Sequence, residues 1–274
     1  MNRQVWVKWS RRLVVIVSIC VMVSILGGCR NIKPPDNEIK DAGILIAAMN
    51  ARLEQVETAR FKEVVFEYYG EERVKLRQLI LVKAPAKLLV YTRMPGSDEI
   101  INVLVSDGET FSMHRRDTNE YLTGPPTRQN INRLLPLDLS ARDISRVMLG
   151  GAPLDRFASE KGPIALSWDS KKGHYRLATP THRGGELVVH VRHTDFAVLG
   201  VEELSTDGES LYSYTTSDWE SHPPLSLPDW RRFEWPGEKI DFSVDVGETQ
   251  LGVELNDALF TLSPPPGSRI TTLD

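Results

Sequence analysis

The chain has 274 residues, a length that allows one domain or one domain with an appendage. Its 33 Lys and Arg against 37 Asp and Glu give a formal net charge of −4, without the basic footprint that nucleic acid requires. With only two cysteines, Cys20 and Cys29, the composition leaves no disulfide framework, no CxxC and no thiolate metal centre.

Residues 1–12, MNRQVWVKWSRR, carry Arg3, Lys8, Arg11 and Arg12 and no acid, and Leu13 to Leu26 then run without a charge. A basic stretch followed by a short apolar run is the pattern of an export signal. A spanning helix wants about 20 apolar residues, so an uncleaved anchor, lengthened by Gly27 and Gly28, is the rival reading. The cysteine decides between them. Leu26-Gly27-Gly28-Cys29 resembles the lipobox of bacterial lipoproteins. That resemblance implies a covalent lipid on the Cys29 thiol, removal of a signal peptide at 1–28, and tethering to a membrane by the lipid. Arg30 stands where an aspartate would imply retention at the inner membrane, so the same resemblance implies the outer one. The lipid is the expected modification, and no cofactor is expected. Residues 29–40, polar and proline-bearing, read as a lipidated tether before a domain at 41–274. Loss of the basic leader makes the remainder more acidic, so charge alone does not draw it to anionic headgroups.

The spacing of Leu45, Met49, Leu53 and Val56 predicts a helix over 41–58. From Ala59 the period becomes two. Val64, Phe66 and Tyr68 share one face; Val74, Leu76, Ile80 and Val82 share one face of the next strand, with Arg73, Lys75 and Arg77 opposite. Strands AKLLVYTR and IINVLVS follow, and Asp107-Gly108 marks a tight hairpin. This is an antiparallel meander. Leu79–Val82, Leu88–Tyr91 and Ile100–Val105 lose alternation. Either both faces are covered or one lines an apolar hollow, as in a filled small barrel or an open one that holds a ligand. Residues 127–149 hold two short helices separated by Pro136, the second capped by Ser140. Further strands follow, and 222–237, HPPLSLPDWRRFEWPG, reads as a long ordered loop or an edge.

The segments YTRMPGSDEIINVLVSDGETFSM and INRLLPLDLSARDISRVMLGGAP, in that order, are similar to the outer-membrane lipoprotein receptor family LolB, and the closing FTLSPPPGSRI resembles the ending of the related carriers, LolA. The resemblance implies an α+β fold, an unclosed antiparallel β-barrel with a helical lid around a cavity for acyl chains. It implies acylated lipoproteins or other lipids as partners, a periplasmic LolA-like carrier as donor, and a monomer. Face parity then puts Val64, Phe66, Tyr68, Leu76, Ile80, Val82, Leu88, Val90, Ile101 and Val103 toward the cavity. An exposed leucine in the family's loop is matched by Met94 in Met94-Pro95-Gly96, which implies a membrane contact during release. The alternative is a non-catalytic structural or regulatory lipoprotein that uses the same fold, with its hollow filled, to bind another envelope protein.

Enzyme readings fare worse. GxSxG, HExxH, P-loop and GxGxxG motifs are absent. His190 and His193 have an odd spacing that sends them to opposite faces of a strand, and they read as surface histidines. Glu71-Glu72 and Glu202-Glu203 read as solvated turns and strand ends.

Overall fold

The computed structural model describes residues 31–133, 139–153 and 162–274. The leader 1–28, Cys29 and Pro136 lie outside the described residues.

After helix α1 (Ala42–Leu53), six strands step outward from the middle of one sheet: β1 (Thr58–Tyr69), β2 (Arg73–Lys83), β3 (Lys87–Arg93), β4 (Ile100–Ser106), β5 (Phe111–Arg115) and β6 (Glu120–Gly124). Two short helices follow, α2 (Arg128–Asn132) and α3 (Ala141–Met148). The chain resumes at the opposite edge with β7 (Ala165–Asp169) and returns through β8 (His174–Pro180), β9 (Glu186–Val191), β10 (Val198–Leu204), β11 (Ser210–His222) and β12 (Leu225–Trp235). Strand β13 (Ile240–Leu251) then pairs with β1 and joins the two halves. Strand β14 (Arg269–Thr272) adds to β6 in parallel. The 14 strands form one sheet with β14 and β7 as its edges. Among the described residues no ladder joins those edges, so the barrel is unclosed, and the fold is the expected α+β half-barrel.

Local chemistry sets the element ends. Asp41 accepts from the Ile44 N–H to start α1, Thr127 from Asn130 to start α2, and Ser140 from Asp143 to start α3. Helix α1 stops at Leu53, short of the expected 58, yet Leu45 and Val56 are both buried. At the β4–β5 turn, Asp107 Oδ1 accepts from the N–H groups of Glu109 and Thr110, and Gly108 takes a positive φ of 102°.

The continuous apolar runs have a physical cause: β2, β3 and β4 are covered on both faces. On the concave side Ile80, Val82, Leu88, Val90 and Leu104 join the main core with Ile144 and Val147 of α3. On the convex side Leu81, Leu89, Val103 and Val105 pack under Leu255 and Phe260, from the segment after β13. That segment is pinned by Thr58 Oγ1, which donates to the Val253 carbonyl, and by the Tyr121 hydroxyl, which donates to that of Leu262. Asp257 meets Lys83 at 3.0 Å and Lys87 at 2.9 Å.

Two expectations are corrected. The β3–β4 register shifts between Thr92 and Arg93, so Ile101 sits at a bulge and Val103 turns to the convex cluster instead of the hollow. Residues 225–235 form strand β12, flanked by β11 and β13, neither a loop nor an edge. Pro228 is tolerated because the β12–β13 ladder begins only at Trp230, which leaves the proline with β11 as its one partner strand.

Candidate functional site: an apolar cavity beneath helix α1

The concave face over β1 to β3 is filled. Val64, Phe66, Ile80, Val82, Leu88 and Val90 all lie inside the packed core, and Tyr68 and Leu76 pack half-buried against it. None of these residues lines the cavity described next.

That cavity, about 370 Å³, lies on the other half of the sheet, where α1 faces β8 to β10. Ile46, Met49 and Leu53 come from α1. Leu177, Leu187, Val189 and Val198 come from the strands, with Phe196 and Ile164 at the flanks. Small residues keep the space open: Ala178 on β8, and Gly150, Gly151 and Ala152 after α3. Its size falls at the low end of the roughly 300–1,000 Å³ of small-molecule sites.

The loop at 150–152 is built by the end of α3. The Gly150 N–H donates to Val147 O at 3.0 Å and the Gly151 N–H to Arg146 O at 2.7 Å, closing the helix in a Schellman motif with Gly150 at φ 79°. A Cβ on Gly150 would stand 3.0 Å from Leu227 Cδ2 and 3.2 Å from Arg52 Nη1, and one on Gly151 would stand 2.9 Å from Leu53 Cδ1. The glycine pair thus permits the close approach of α1.

Two buried arginines hold the same helix end. Arg231, fully buried, donates from Nε to Val147 O at 3.2 Å and from Nη2 to Met148 O at 3.0 Å. Arg52, 4% exposed, donates to Leu149 O at 3.4 Å, Gly150 O at 3.5 Å and Ser226 O on β12. Cations suit the carbonyl-rich end of a helix. Burial lowers the pKa of both guanidiniums, Asp195 opposing the shift at Arg52 and Tyr214 at Arg231. Both stay charged, because an arginine does not lose its proton in a protein. Burial also pushes the neighbouring Tyr214 hydroxyl up to about 12.

A second groove, of mixed polar and apolar lining, adjoins the cavity between α1, α3 and the β2–β3 turn, with a volume of about 580 Å³. Asn50, Leu53 and Arg146 line both spaces.

The Met94-Pro95-Gly96 turn joins β3 to β4. Met94 is 41% exposed, and Gly96 takes φ 79° with open space around it. Sequence reasoning missed the histidines. His174 and His190 are buried on the convex side of β8 and β9, their Nε2 and Nδ1 atoms 2.9 Å apart. Glu202 lies 3.8 Å from His190, and Glu203 is buried, so neither the histidine nor the second acid is a surface group. Among the described residues no group of three His, Cys, Asp or Glu side chains is placed to hold a metal ion.

Comparison with solved structures decides the fold. The chain is similar to a DUF1329 family protein from Desulfovibrio piger, with TM-score 0.57 and 16% identity over 79% of this chain and 97% of that one. It is similar to a LolA superfamily protein from Nitrosomonas europaea, with TM-score 0.54 and 15% identity over 82% of this chain and 99% of the other. The fold is LolA-like. A domain named for outer membrane lipoprotein sorting, from Vibrio parahaemolyticus, has this LolA-like fold too, with TM-score 0.55 and 11% identity over 79% and 94% of the two chains. No family model matches the chain, and no curated protein matches it in sequence. In LolA-like terms, the described cavity lies between the first helix and the strands that return from the far edge.

Proposed function

We propose that this protein is a non-catalytic, lipid-anchored envelope protein that takes acyl chains of lipoproteins or other lipids into the cavity beneath α1 and helps insert them into the outer membrane. One observation carries the reading: an apolar cavity on the concave face of a half-barrel, framed by a helix on one side and strands on the other. Burial alone does the work, since each methylene moved out of water contributes about 0.8 kcal/mol. The LolA-like fold supports the lipid class, and the lipobox at Leu26–Cys29 supports a diacylglyceryl thioether as tether, which the mass of the amino-terminal peptide would read. A LolA-like carrier is the donor in this reading, and the protein acts as a monomer.

Release is assigned to the Met94 turn, where an exposed, flexible side chain stands beside Pro95 and Gly96. Met94→Glu should keep cargo binding and slow the transfer of a labelled lipoprotein to liposomes several-fold. Unchanged transfer removes Met94 from the mechanism. The filled concave face over β1 to β3 favours a second reading, an interaction module for another envelope protein. Failure of the wild-type chain to accept any lipoprotein or lipid would leave that reading standing.

A further inference from the structure

Among the described residues the cavity lining contains two arginines, Arg52 and Arg146, and no aspartate or glutamate, in a chain whose formal net charge is −4. Arg52 has little anionic compensation. Its Nε is buried with no hydrogen-bond partner and stands 3.8 Å from Asp195 Oδ2. Asp195 is committed elsewhere: Arg192 holds both its oxygens, at 2.7 and 2.8 Å. Two cations therefore share one carboxylate. Arg146 adds a third positive charge, and its Nε is also buried without a partner. Arg146 stands at the junction, with the apolar cavity on one side and the groove that carries charged groups on the other. Among the described residues the groove's other charged groups are Arg142, Glu54 and Glu57. All three are exposed, and Glu57 lies 3.7 Å from Lys83.

We infer that the cavity takes an acyl chain that ends in an acidic headgroup, a carboxylate or a phosphate, with the tail beneath α1 and the head on Arg146. The inference rests on the proposed lipid-binding function and names its ligand class. An uncharged acyl group would gain the same apolar burial but would leave the Arg146 Nε without an acceptor, and a desolvated charge gains most from a charge-assisted bond. Arginine suits either head, since its planar fork matches carboxylate and phosphate alike.

The test is photo-crosslinking of the full chain, held in phosphatidylcholine nanodiscs, with a diazirine-bearing palmitic acid, followed by mapping of the labelled peptide. Palmitic acid should compete at least about tenfold better than palmityl alcohol, which has the same chain and no charge. Phosphatidic acid set against diacylglycerol and phosphatidylcholine tells a lipid phosphate from a free carboxylate; competition by one acid alone assigns the head. Arg146→Gln should erase the preference for acid over alcohol while crosslinking persists, Arg146→Lys should restore most of it, and Arg77→Gln, on an exposed arginine that lines neither space, should leave it intact. Equal competition by acid and alcohol in the wild type would overturn the inference and spare the lipid-binding function. No crosslink to cavity residues with any probe would overturn both.

Discussion

Val189→Phe is the sharpest test of where ligands sit. Val189 is 7% exposed, points into the concave side of β9 and lines the 370 Å³ cavity. The substitution adds about four carbons, and the space they need is the space an acyl chain would use. If each displaced methylene forfeits about 0.8 kcal/mol, the loss is about 3 kcal/mol, or roughly a hundredfold in Kd. The ring projects into open volume, so stability should hold; forced into a closed core, it would lower stability by about 1–3 kcal/mol. Binding of a fluorescent fatty acid to the full chain gives the affinity, and a urea titration gives the stability. Ala152→Leu narrows the same space from the loop side and should act in the same direction. If both variants fold as the wild type does and bind the probe with unchanged affinity, the cavity beneath α1 is not the acyl site.

Phe260→Ala should lower stability by about 3 kcal/mol in urea denaturation, since the ring is 1% exposed over the convex cluster, and should leave acyl-probe affinity unchanged because that cluster lies across the sheet from the cavity. Acid should destabilise the fold through the histidine pair: burial and then His190 hold His174 down to about 4, and burial lowers His190 as well, with Glu202 opposing. The groups around the pair are Asp169, Lys172, Arg176 and Glu202. Both pKa values lie below the ordinary 6.5, so the unfolded chain binds more protons; the stabilisation is present above pH 6.5 and is lost as pH falls toward 4, about 1–2 kcal/mol after allowance for partial solvation. His190→Gln should flatten this dependence of the urea midpoint on pH, and an equally steep profile in the variant would assign the acid sensitivity to other groups.

The parts of the fold written in short-range chemistry were legible. Alternation at Val64, Phe66 and Tyr68 placed β1's inner face correctly because no bulge intervenes between those residues. Ser140 and Asp107-Gly108 act over three or four residues, and both appear as expected. Val103 failed because one unpaired residue at Ile101 reverses every face after it, and nothing local in IINVLVS announces the bulge. Strand β12 was obscured by Pro228, whose acceptability depends on where a strand distant in sequence starts to pair. The His174–His190 contact spans 16 residues and is made by the register of two strands, not by a motif.

The cavity was the least legible feature, for a reason that concerns its persistence. Helix α1 and strands β8 to β10 are both apolar where they face each other, and the hydrophobic effect alone would draw them together until the space closed. Non-directional attraction cannot hold a gap open. Directional bonds can: Arg52 fixes α1 to three carbonyls, two at the end of α3 and one on β12, while Arg231 fixes that same helix end from β12. The closer bonds thereby set α1 against α3 and β12, while toward β8 to β10 the ties are Ile39, ahead of the helix, donating to the Tyr175 hydroxyl and the 3.8 Å approach of Arg52 to Asp195. The gap that remains is lined by whatever small residues stand there, Ala178, Gly150, Gly151 and Ala152. Apolar periodicity finds faces that pack; it does not find the place where polar bonds elsewhere prevent packing. The signals in the chain are an arginine in the last turn of a helix whose one other polar residue is Asn50, at Arg52, and a Gly-Gly pair just after a capped helix, at Gly150-Gly151. A buried arginine must find acceptors, and the acceptors it finds locate the gap.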